Sequence, residues 1–366
     1  MPNETRHRQS ARAVQPLSAS ERVLGSFWGT AKRNSPTWVG EIEGGRPSIP
    51  TSVDEPSLWR FTLTAIIRGL PQRTKSYTNI RIDSSRWDHY LSRQGDIVIA
   101  TYAKNGTTWM EHIVLNLIHK GPEKPTIHEV AVWVDRNNRL DTKEHKEFPV
   151  DEMVEKLQTQ KHRRQMKTHL PLDHLPFHAE ANYIVVGRPN RDVWLSWHNH
   201  YRNWLERGDL PEDPKDFWAD WIEGRVAPQS DWNEETAGIH PHFHYYQQWW
   251  SYRYLDNILL VHFNDLLSDL PAEVARIAEF LQIEASTSVI QDVAQATTFT
   301  NMKTNADQLL PGTKRPDLFL NKGTNDRWRG VLTESDLLLY KEARQRAISL
   351  GVDADCLNWL ERPPAD

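Results

Sequence analysis

The chain has 366 residues, a formal charge of −5 and a composition that is 38% hydrophobic. This length can bury a sizeable core and fits one large α/β domain with an extension. The net negative charge argues against a nucleic acid or a membrane surface as the main partner, so any anion site must be built from a few local cations. The single cysteine, Cys356, excludes an internal disulfide framework and favours a reducing compartment, which we expect to be the cytoplasm.

The first 70 residues form a predicted extension. Residues 1–55 are rich in Ser, Arg, Glu, Gly and Pro and show little periodicity, which is typical of extended or partly disordered chain. Residues 58–70 favour a short helix whose apolar run is far too short to cross a bilayer. Polar residues interrupt every apolar run in the first thirty positions, so we expect neither a signal peptide nor a membrane anchor. The main folded domain is predicted over residues 71–366.

A strand-to-helix loop carries the strongest signal in the chain. Residues 96–109 read Asp-Ile-Val-Ile-Ala-Thr-Tyr-Ala-Lys-Asn-Gly-Thr-Thr-Trp. Four apolar residues ending at Ala100 predict a buried strand, and the apolar spacing after Thr107 predicts a helix. Gly106 lets a ligand approach the backbone, the first helical turn offers free N–H groups, and Lys104 supplies a positive charge. The pattern predicts a site for a tetrahedral anion.

The loop does not fit the ATP-binding pattern that uses the same physics. The Walker motif ends in Gly-Lys-Ser/Thr, whose hydroxyl holds Mg²⁺, and this tripeptide is missing from the chain. The segment instead resembles the 5′-phosphosulfate loop of the cytosolic sulfotransferase family, usually Thr-Tyr-Pro-Lys-Ser-Gly-Thr-Thr-Trp. Ala103 and Asn105 replace the proline and the serine, and neither change removes the lysine, the glycine or the helix start. The resemblance extends from near Leu70 to near Gly351.

This resemblance implies a P-loop-NTPase-like sulfotransferase fold. It also implies 3′-phosphoadenosine-5′-phosphosulfate (PAPS) as a co-substrate, with no metal. The loop residues that it places on this donor are Lys104, Asn105, Gly106, Thr107, Thr108 and Trp109.

Periodicity gives the same fold class independently. Strand-like runs follow Asp96 and recur at residues 166–169, 183–187 and 258–263, with helical patterns between them, such as residues 271–281. Strands that alternate with helices predict an α/β fold with a mainly parallel sheet, flanked by helices on both faces. Ligands of such sheets bind at the carboxyl ends of the strands.

The motif Lys-Thr-His-Leu-Pro at residues 167–171 ends one of these strands. Sulfuryl transfer to a hydroxyl requires removal of the acceptor's proton and neutralisation of the departing phosphate. Because alternate residues of a strand share one side, Lys167 and His169 are expected to point the same way. The motif is similar to the family's own Lys-Thr-His-Leu-Pro, which implies His169 as the general base and Lys167 as a contact of the transferring group. Lys104 would then neutralise the leaving phosphate.

Residues 187–196, Gly-Arg-Pro-Asn-Arg-Asp-Val-Trp-Leu-Ser, lead from a strand into a helix. The guanidinium of Arg188 and the hydroxyl of Ser196 suit a phosphate monoester. The stretch resembles the family's 3′-phosphate motif and has its Arg-to-Ser spacing, with Pro189 and Asn190 in reversed order. The resemblance also implies that Ser196 restrains Lys104. Taken alone, the motif is more typical of a surface Arg–Asp pair that caps a helix.

Two later segments resemble the nucleoside side of the family's donor site. Residues 297–303, Thr-Thr-Phe-Thr-Asn-Met-Lys, are similar to Thr-Ser-Phe-x-x-Met-Lys. This similarity implies that Thr297, Thr298 and Phe299 hold the adenine, with Trp109 stacked on its other side. In many relatives a tyrosine stands at the position of Phe263, so a hydrogen bond through that hydroxyl is lost here.

Residues 318–329 resemble the family's Arg-Lys-Gly-x-x-Gly-Asp-Trp-Lys segment. Asn321, Lys322 and Gly323 are therefore expected at the donor. Asn321 stands where arginine is usual, so one charge on the 3′-phosphate is missing. Arg327 and Arg329 are the two candidates to replace it.

The row His240-Pro-His-Phe-His244 suggests a metal site, since alternate histidines on a strand can bind zinc. However, the helical pattern of residues 245–255 breaks the alternation. We therefore expect these side chains to pack at a helix start without a metal.

Together the motifs predict a sulfotransferase that moves the sulfuryl group of PAPS to a hydroxyl of a small organic acceptor by in-line displacement. Apolar candidates for the acceptor pocket, Trp133 and Phe177, suit phenols, alcohols and sterols alike. An atypical P-loop nucleotide kinase, which needs Mg²⁺ and acidic ligands, and a non-catalytic nucleotide-binding protein are the alternatives. The sequence leaves the oligomeric state open.

Overall fold

The computed structural model describes residues 69–79, 82–121, 124–137, 149–204, 211–224, 238–310 and 315–364. Only the last two residues of the predicted extension fall in this part, and neither is helical. The helix predicted over residues 58–70 therefore lies almost wholly outside the described residues.

A five-stranded parallel sheet forms the centre of the described chain, in the order β2-β3-β1-β4-β5. The strands are β1 (Ile97–Ala100), β2 (Ala131–Trp133), β3 (Gln165–Thr168), β4 (Asn182–Gly187) and β5 (Ile258–His262). The predicted α/β class is confirmed, and four strands lie within one residue of their predicted positions. The strand β2 was missed because it is the outermost strand and has only three residues, too few to show an alternation of apolar and polar positions.

Helices fill the connections between the strands and continue after the last one. They are α1 (Thr107–Ile118), α2 (Ile127–Val130), α3 (Val150–Thr159), α4 (Asn190–Asn199), α5 (Pro214–Glu223), α6 (Ile239–Trp250), α7 (Phe263–Ser268), α8 (Leu270–Phe280), α9 (Thr287–Ala296), α10 (Phe299–Thr304), α11 (Ala306–Leu309), α12 (Pro316–Phe319), α13 (Glu334–Ser349) and α14 (Ala354–Leu360). Short 3₁₀ helices span Ser84–His89 and Leu172–His174, and a π-helical segment, His200–Trp204, follows α4 directly.

The main apolar core packs β1, β4 and β5 against α1, α8 and α9. All four residues of β1 are fully buried, as expected for a central strand covered on both faces. On α1, Ile113, Val114 and Leu117 repeat at helical spacing and are inaccessible to solvent. Burial of each such side chain contributes about 1.5–3 kcal/mol to folding. The loop between β1 and α1 is therefore held at both ends by rigid, buried elements.

Asp173 ties three separate parts of the chain together beside the 3₁₀ helix Leu172–His174. Its Oδ1 accepts from His174 Nδ1 at 2.8 Å, and its Oδ2 lies 3.2 Å from His244 Nε2 and 3.1 Å from Lys75 Nζ. Its carbonyl accepts the backbone N–H groups of Thr74 and Lys75. Burial alone would raise the pKa of this carboxyl, but the hydrogen bonds from His174 and His244 hold that pKa well below its usual range.

Asp173→Asn should therefore lower the free energy of unfolding by about 1–3 kcal/mol at pH 7, because charge-assisted hydrogen bonds of a buried carboxylate are lost. The carboxylate stabilises the fold fully above the usual aspartate pKa of about 3.9, and this contribution is lost as the pH falls toward the lower folded-state value. Urea unfolding at pH 7 and near pH 3 should show the deficit shrinking in acid. The exposed Asp256 provides a control, Asp256→Asn, and equal stability of both variants at pH 7 would contradict the role of Asp173.

Candidate active site

Four chemically distinct side chains follow four neighbouring strands at one edge of the sheet. Lys104 lies in the loop after β1, His169 and Arg188 come directly after β3 and β4, and Phe263 begins the helix after β5. Because the strands are parallel, their carboxyl ends share this edge. The structure thus brings together residues that are up to 159 positions apart, from Lys104 to Phe263.

The loop of residues 101–106, which we call the anion loop, presents an open helix start. Gly106 is the N-cap of α1, with φ of 97°, and no side chain caps the helix there. The free N–H groups of that turn can therefore bind an anion. A Cβ at Gly106 would come within 3.0 Å of Phe263, so only glycine fits without displacement. Lys104 has a φ of 70°, a strained conformation for a residue with a side chain, and such strain often marks functional loops.

The ε-amino group of the half-buried Lys104 lies between two aromatic rings. Its Nζ donates to Nδ1 of His200 at 3.3 Å and lies 4.7 Å from the ring centroid of Phe319. Burial, assisted by the charge of Arg188, lowers the pKa of Lys104 to about 7. A desolvated cation of this kind gains more from an incoming anion than one in water does.

The imidazole of His169 is oriented by a backbone carbonyl. Its Nδ1 donates to the Thr101 carbonyl at 2.8 Å, which leaves the lone pair of Nε2 available. Trp133 of β2 packs edge-on against the ring, with centroids 5.1 Å apart. Burial lowers the pKa of His169 to about 4, the hydrogen bond to Thr101 opposes this shift, and the charges of Lys167 and Lys104 add to it. The ring is therefore neutral near pH 7 and able to accept a proton.

Lys167 is held by a buried carboxylate that the sequence analysis missed. Its Nζ lies 3.2 Å from both oxygens of Glu111, and 5.4 Å from the ring centroid of Trp133. Burial raises the pKa of Glu111, while the charge of Lys167 lowers it. The only sequence signal for Glu111 is a charged residue within the apolar α1 pattern. The pair fixes Lys167 on the same side of the sheet edge as His169.

Arg188 joins the anion loop to the segment after α12. Its Nε donates to Asn325 Oδ1 at 2.7 Å, its Nη2 to the Thr324 carbonyl at 2.9 Å, and its Nη1 to the Lys104 carbonyl at 3.1 Å. The guanidinium also lies 4.3 Å from the ring centroid of Phe263. Burial lowers the pKa of Arg188 to about 10, so the side chain stays charged at neutral pH. The surface-pair interpretation is therefore wrong for this arginine, which is buried and reaches across the site.

The segments 297–303 and 318–329, which resemble the nucleoside side of the family's donor site, pack on each other. Gly323 has a φ of 65°, and a Cβ there would overlap the ring of Phe299. Lys303 Nζ donates to the Asn321 carbonyl at 2.6 Å, and Trp109 packs edge-on against Phe263 with centroids 5.2 Å apart. Arg188, Phe263 and Trp109 thus connect this pair of motifs to the anion loop.

Gly323→Ala should displace this segment and weaken nucleotide binding about tenfold, since a side chain at positive φ costs roughly 1–2 kcal/mol before any steric overlap. Gly330→Ala is a matched control, because Gly330 also has positive φ, 78°, but a Cβ there meets nothing within 4 Å. Calorimetric titration with the desulfated nucleotide compares the two variants. Equal affinities would show that the packing of Gly323 on Phe299 does not shape the site.

Several predicted residues are placed differently from the expectation. The hydroxyl of Thr297 is buried and donates to the Val293 carbonyl at 2.8 Å, so it faces its own helix and not a cavity. Thr298 caps α10 by accepting from the N–H of Asn301. Among the described residues, the Ser196 hydroxyl makes no hydrogen bond, and it is His200, one turn later, that contacts Lys104.

The remaining loop residues lie near the start of α1. Thr107 is buried, and its Oγ1 lies 2.5 Å from that of Thr101, while Thr108 is half-buried. Lys322 is exposed. Of the two arginines considered for the charge missing at Asn321, Arg327 is close enough to Arg188 to lower that residue's pKa. Arg329 instead pairs with Asp326 at 3.0 Å on the surface.

Asn105, which replaces the family's serine, contacts the histidine row. Its Oδ1 accepts from His242 Nε2 at 3.3 Å, and its Nδ2 donates to the Ala103 carbonyl at 3.1 Å. His240, His242 and His244 all lie within α6, which begins six residues before the predicted helical pattern. Burial lowers the pKa of His242 to about 3, so this ring is a neutral packing partner of the loop. Within the described residues, no cluster of His, Cys, Asp and Glu side chains can hold a metal ion.

The carboxyl-terminal segment is linked by hydrogen bonds to Asn325, which contacts Arg188. Asn325 Nδ2 donates to Asn264 Oδ1 at 2.5 Å, and Asn264 Nδ2 donates to the Arg362 carbonyl at 2.9 Å. Glu361 Oε1 accepts the backbone N–H of Asn190 at 2.7 Å, at the start of α4. In addition, the ring of Trp359 lies against Gly187, where a Cβ would overlap it.

The fold and the residues at this edge of the sheet are typical of one class of protein. The family model described as a sulfotransferase domain matches residues 94–350, so the chain belongs to the sulfotransferase family. The predicted resemblance, fold and enzyme class are thereby confirmed. No helix among the described residues has the length and apolar character needed to span a membrane.

This chain is similar to several known sulfotransferases over most of their length. The chain is 29% identical to the glycolipid sulfotransferase of Mycobacterium bovis over 297 residues, which is 72% of this chain and 88% of that protein. It is 28% identical to the 3-beta-hydroxysteroid sulfotransferase of Cavia porcellus, covering 75% of this chain and 90% of that protein. The solved structure of mouse sulfotransferase SULT7A1 complexed with PAP covers 76% of this chain and 90% of its own, with a TM-score of 0.58 and 19% identity.

Proposed function

We propose that the protein transfers the sulfuryl group of PAPS to a hydroxyl of a small organic acceptor. The observation that carries this proposal is the placement of a neutral imidazole with a free Nε2, His169, and a desolvated cation, Lys104, on neighbouring strand ends. The mouse sulfotransferase of similar fold was solved with PAP, which is PAPS without its sulfuryl group. The catalytic domain is proposed to span residues 71–366. The protein is proposed to be located in the cytoplasm.

The described residues supply the positive charges and the free backbone N–H groups that would support binding of such a donor. The open start of α1 and Lys104 would hold the 5′-phosphosulfate, with Asn105, Gly106, Thr107 and Thr108 forming the loop around it. Arg188, Ser196, Lys322 and Gly323 are proposed for the 3′-phosphate, with Arg327 supplying the charge that Asn321 lacks. The buried Nε1 of Trp109 has no partner among the described residues, which supports a ligand beside that ring. The adenine is proposed to lie between Trp109 and Phe299, with Thr298 nearby; the inward-facing Thr297 would only shape that turn.

The reaction would proceed as an in-line displacement. The acceptor oxygen forms a bond to sulfur while the bond from sulfur to the phosphate oxygen breaks, and the acceptor proton passes to Nε2 of His169. Lys104 neutralises the charge that develops on the departing phosphate, and Lys167, held by Glu111, faces the sulfuryl oxygens. Because both substrates are held at one sheet edge, orientation would contribute much of the rate.

The pH dependence should reflect both shifted groups. His169 must be neutral to accept the proton, so kcat/KM for the donor should rise through an acid limb near pH 4. Lys104 must be protonated, so kcat/KM should fall through an alkaline limb near pH 7. A bound anion stabilises the protonated form of both groups, so the limbs of the kcat profile should move to higher pH. An acid limb above the usual histidine pKa of about 6.5 would contradict the neutral state of His169.

The acceptor is proposed to be a small molecule with a hydroxyl group that sits near Trp133 and His169. The relatives include proteins named for glycolipid and hydroxysteroid acceptors, both of which combine an apolar body with a hydroxyl. The ring of Trp133, partly buried beside the proposed base, provides an apolar surface for such a molecule. Phe177 instead stacks on Tyr183 of β4, with centroids 5.3 Å apart, and is a weaker candidate for the pocket.

The direct test incubates purified protein with PAPS and a library of hydroxyl compounds and measures products by mass. The expected result is an acceptor heavier by one sulfuryl group, with release of the desulfated nucleotide. A parallel reaction with ATP, Mg²⁺ and a chelator tests the kinase alternative, since phosphoryl transfer would require the metal. Transfer from ATP that the chelator abolishes, without sulfation, would overturn the proposal.

A further inference from the structure

The side chain that contacts the charge of Lys104 is a histidine one turn beyond the predicted serine. His200 Nδ1 accepts a hydrogen bond from Lys104 Nζ at 3.3 Å. His200 lies where α4 ends and the π-helical segment His200–Trp204 begins, and its backbone N–H donates to the carbonyls of Ser196 and Trp197. Irregular turns of this kind occur often at functional sites, because they re-aim a side chain.

Aromatic neighbours hold the imidazole in place. The ring of Trp197 meets it edge-on with centroids 5.8 Å apart, and the ring of Phe319 does so at 6.3 Å. Phe319 also lies over the ammonium of Lys104, and α12 is tied to α4 because Asn199 Nδ2 donates to the Leu318 carbonyl at 3.1 Å. Lys104 Nζ is therefore held by two rings whose own positions are fixed by packing.

We propose that His200 is a positioning residue that holds the ammonium of Lys104 at the carboxyl edge of the sheet by accepting one of its three hydrogens. The other two hydrogens remain for the phosphate of the donor. An unrestrained lysine has four rotatable bonds and loses considerable entropy when it is ordered, so a preset contact lowers the cost of placing its charge during the reaction. This inference rests on the proposed sulfuryl transfer and adds a residue to it.

The geometry of the contact allows a sharp test. The Oδ1 atom of asparagine falls close to the position of Nδ1 in histidine, whereas the amide of glutamine reaches the position of Nε2. His200→Asn should therefore keep the acceptor for Lys104, and His200→Gln and His200→Leu should lose it. We expect kcat to stay within about threefold of the wild type for the asparagine variant and to fall about 10- to 100-fold for the other two, the size expected when a reacting group is misplaced.

A second measurement separates positioning from loss of structure. The hydrogen bond favours the charged form of Lys104, while the nearby Arg188 disfavours it. Without the bond, the alkaline limb of kcat/KM should move to lower pH in His200→Leu and His200→Gln, and it should stay in place in His200→Asn. A variant that is merely less folded would lower the amplitude without moving the limb.

The outcomes distinguish the inference from the function on which it rests. If wild-type protein transfers sulfuryl groups but all three variants keep its kcat and pH profile, the role of His200 is refuted while the function stands. Equal losses in His200→Asn and His200→Leu, without a shift of the limb, would also refute it. If wild-type protein shows no sulfuryl transfer with any acceptor, the proposed function itself fails.

Discussion

His169→Ala should lower kcat for sulfuryl transfer about 10²- to 10⁴-fold, the usual contribution of a positioned general base. The substitution removes the imidazole at the end of β3 whose Nε2 is freed by the hydrogen bond from Nδ1 to the Thr101 carbonyl. Binding of the desulfated nucleotide should be unchanged, because the imidazole is proposed to act on the acceptor and not on the phosphates. Steady-state kinetics with saturating donor measures the fall in kcat.

Binding is checked separately by thermal or chemical unfolding with the desulfated nucleotide. Ligand at a hundred times its dissociation constant should add about 2.7 kcal/mol to the stability of both wild type and variant. The exposed His89 supplies a matched control, His89→Ala, which should keep full activity. If His169→Ala retained wild-type turnover, the assignment of the base would be refuted even if sulfation itself were established.

Lys104→Met should produce a loss of similar size, about 10²- to 10³-fold in kcat, as expected when one preorganised charge is removed from a developing anion. Methionine is close to lysine in shape and carries no charge, so the positive φ of residue 104 costs the same in both proteins. The backbone carbonyl that accepts from Arg188 is also retained. The change therefore isolates the ammonium.

The two active-site variants should differ in nucleotide binding. Lys104→Met should bind the desulfated nucleotide at least tenfold more weakly, because the product's phosphate carries the negative charge that Lys104 neutralises. Isothermal titration with that nucleotide measures the difference, and the exposed Lys341 gives the control Lys341→Met. Unchanged kcat and unchanged affinity in Lys104→Met would show that the anion loop acts through its backbone alone.

The elements around the anion loop were predictable because their signals are local. A fully buried strand, a glycine at the helix start and apolar helical spacing all follow from neighbouring residues, and β1 and α1 were predicted to begin where they do. The motif order along β3 and β4 then placed His169 and Arg188 at the same edge, since parallel strands share the direction of their carboxyl ends.

Contacts between distant segments could not be predicted in the same way. The pairing of Lys167 with Glu111 and the approach of His200 to Lys104 depend on how α1 and α4 pack against the sheet edge. A histidine at the end of a helix gives no sequence signal for its partner, and Ser196 has the more suggestive spacing. The inward turn of Thr297 was missed for a related reason, because its hydroxyl is satisfied by the last turn of α9.

The hydrogen bonds behind Arg188 have a practical consequence for protein engineering. They pass from Asn325 through Asn264 to the Arg362 carbonyl, and Glu361 caps the helix that follows Arg188. The sulfotransferase-domain match stops at residue 350, so a fragment designed on that boundary would lack these supports. Expression designs should therefore retain residues 359–362 and separate any carboxyl-terminal fusion from them by a flexible spacer.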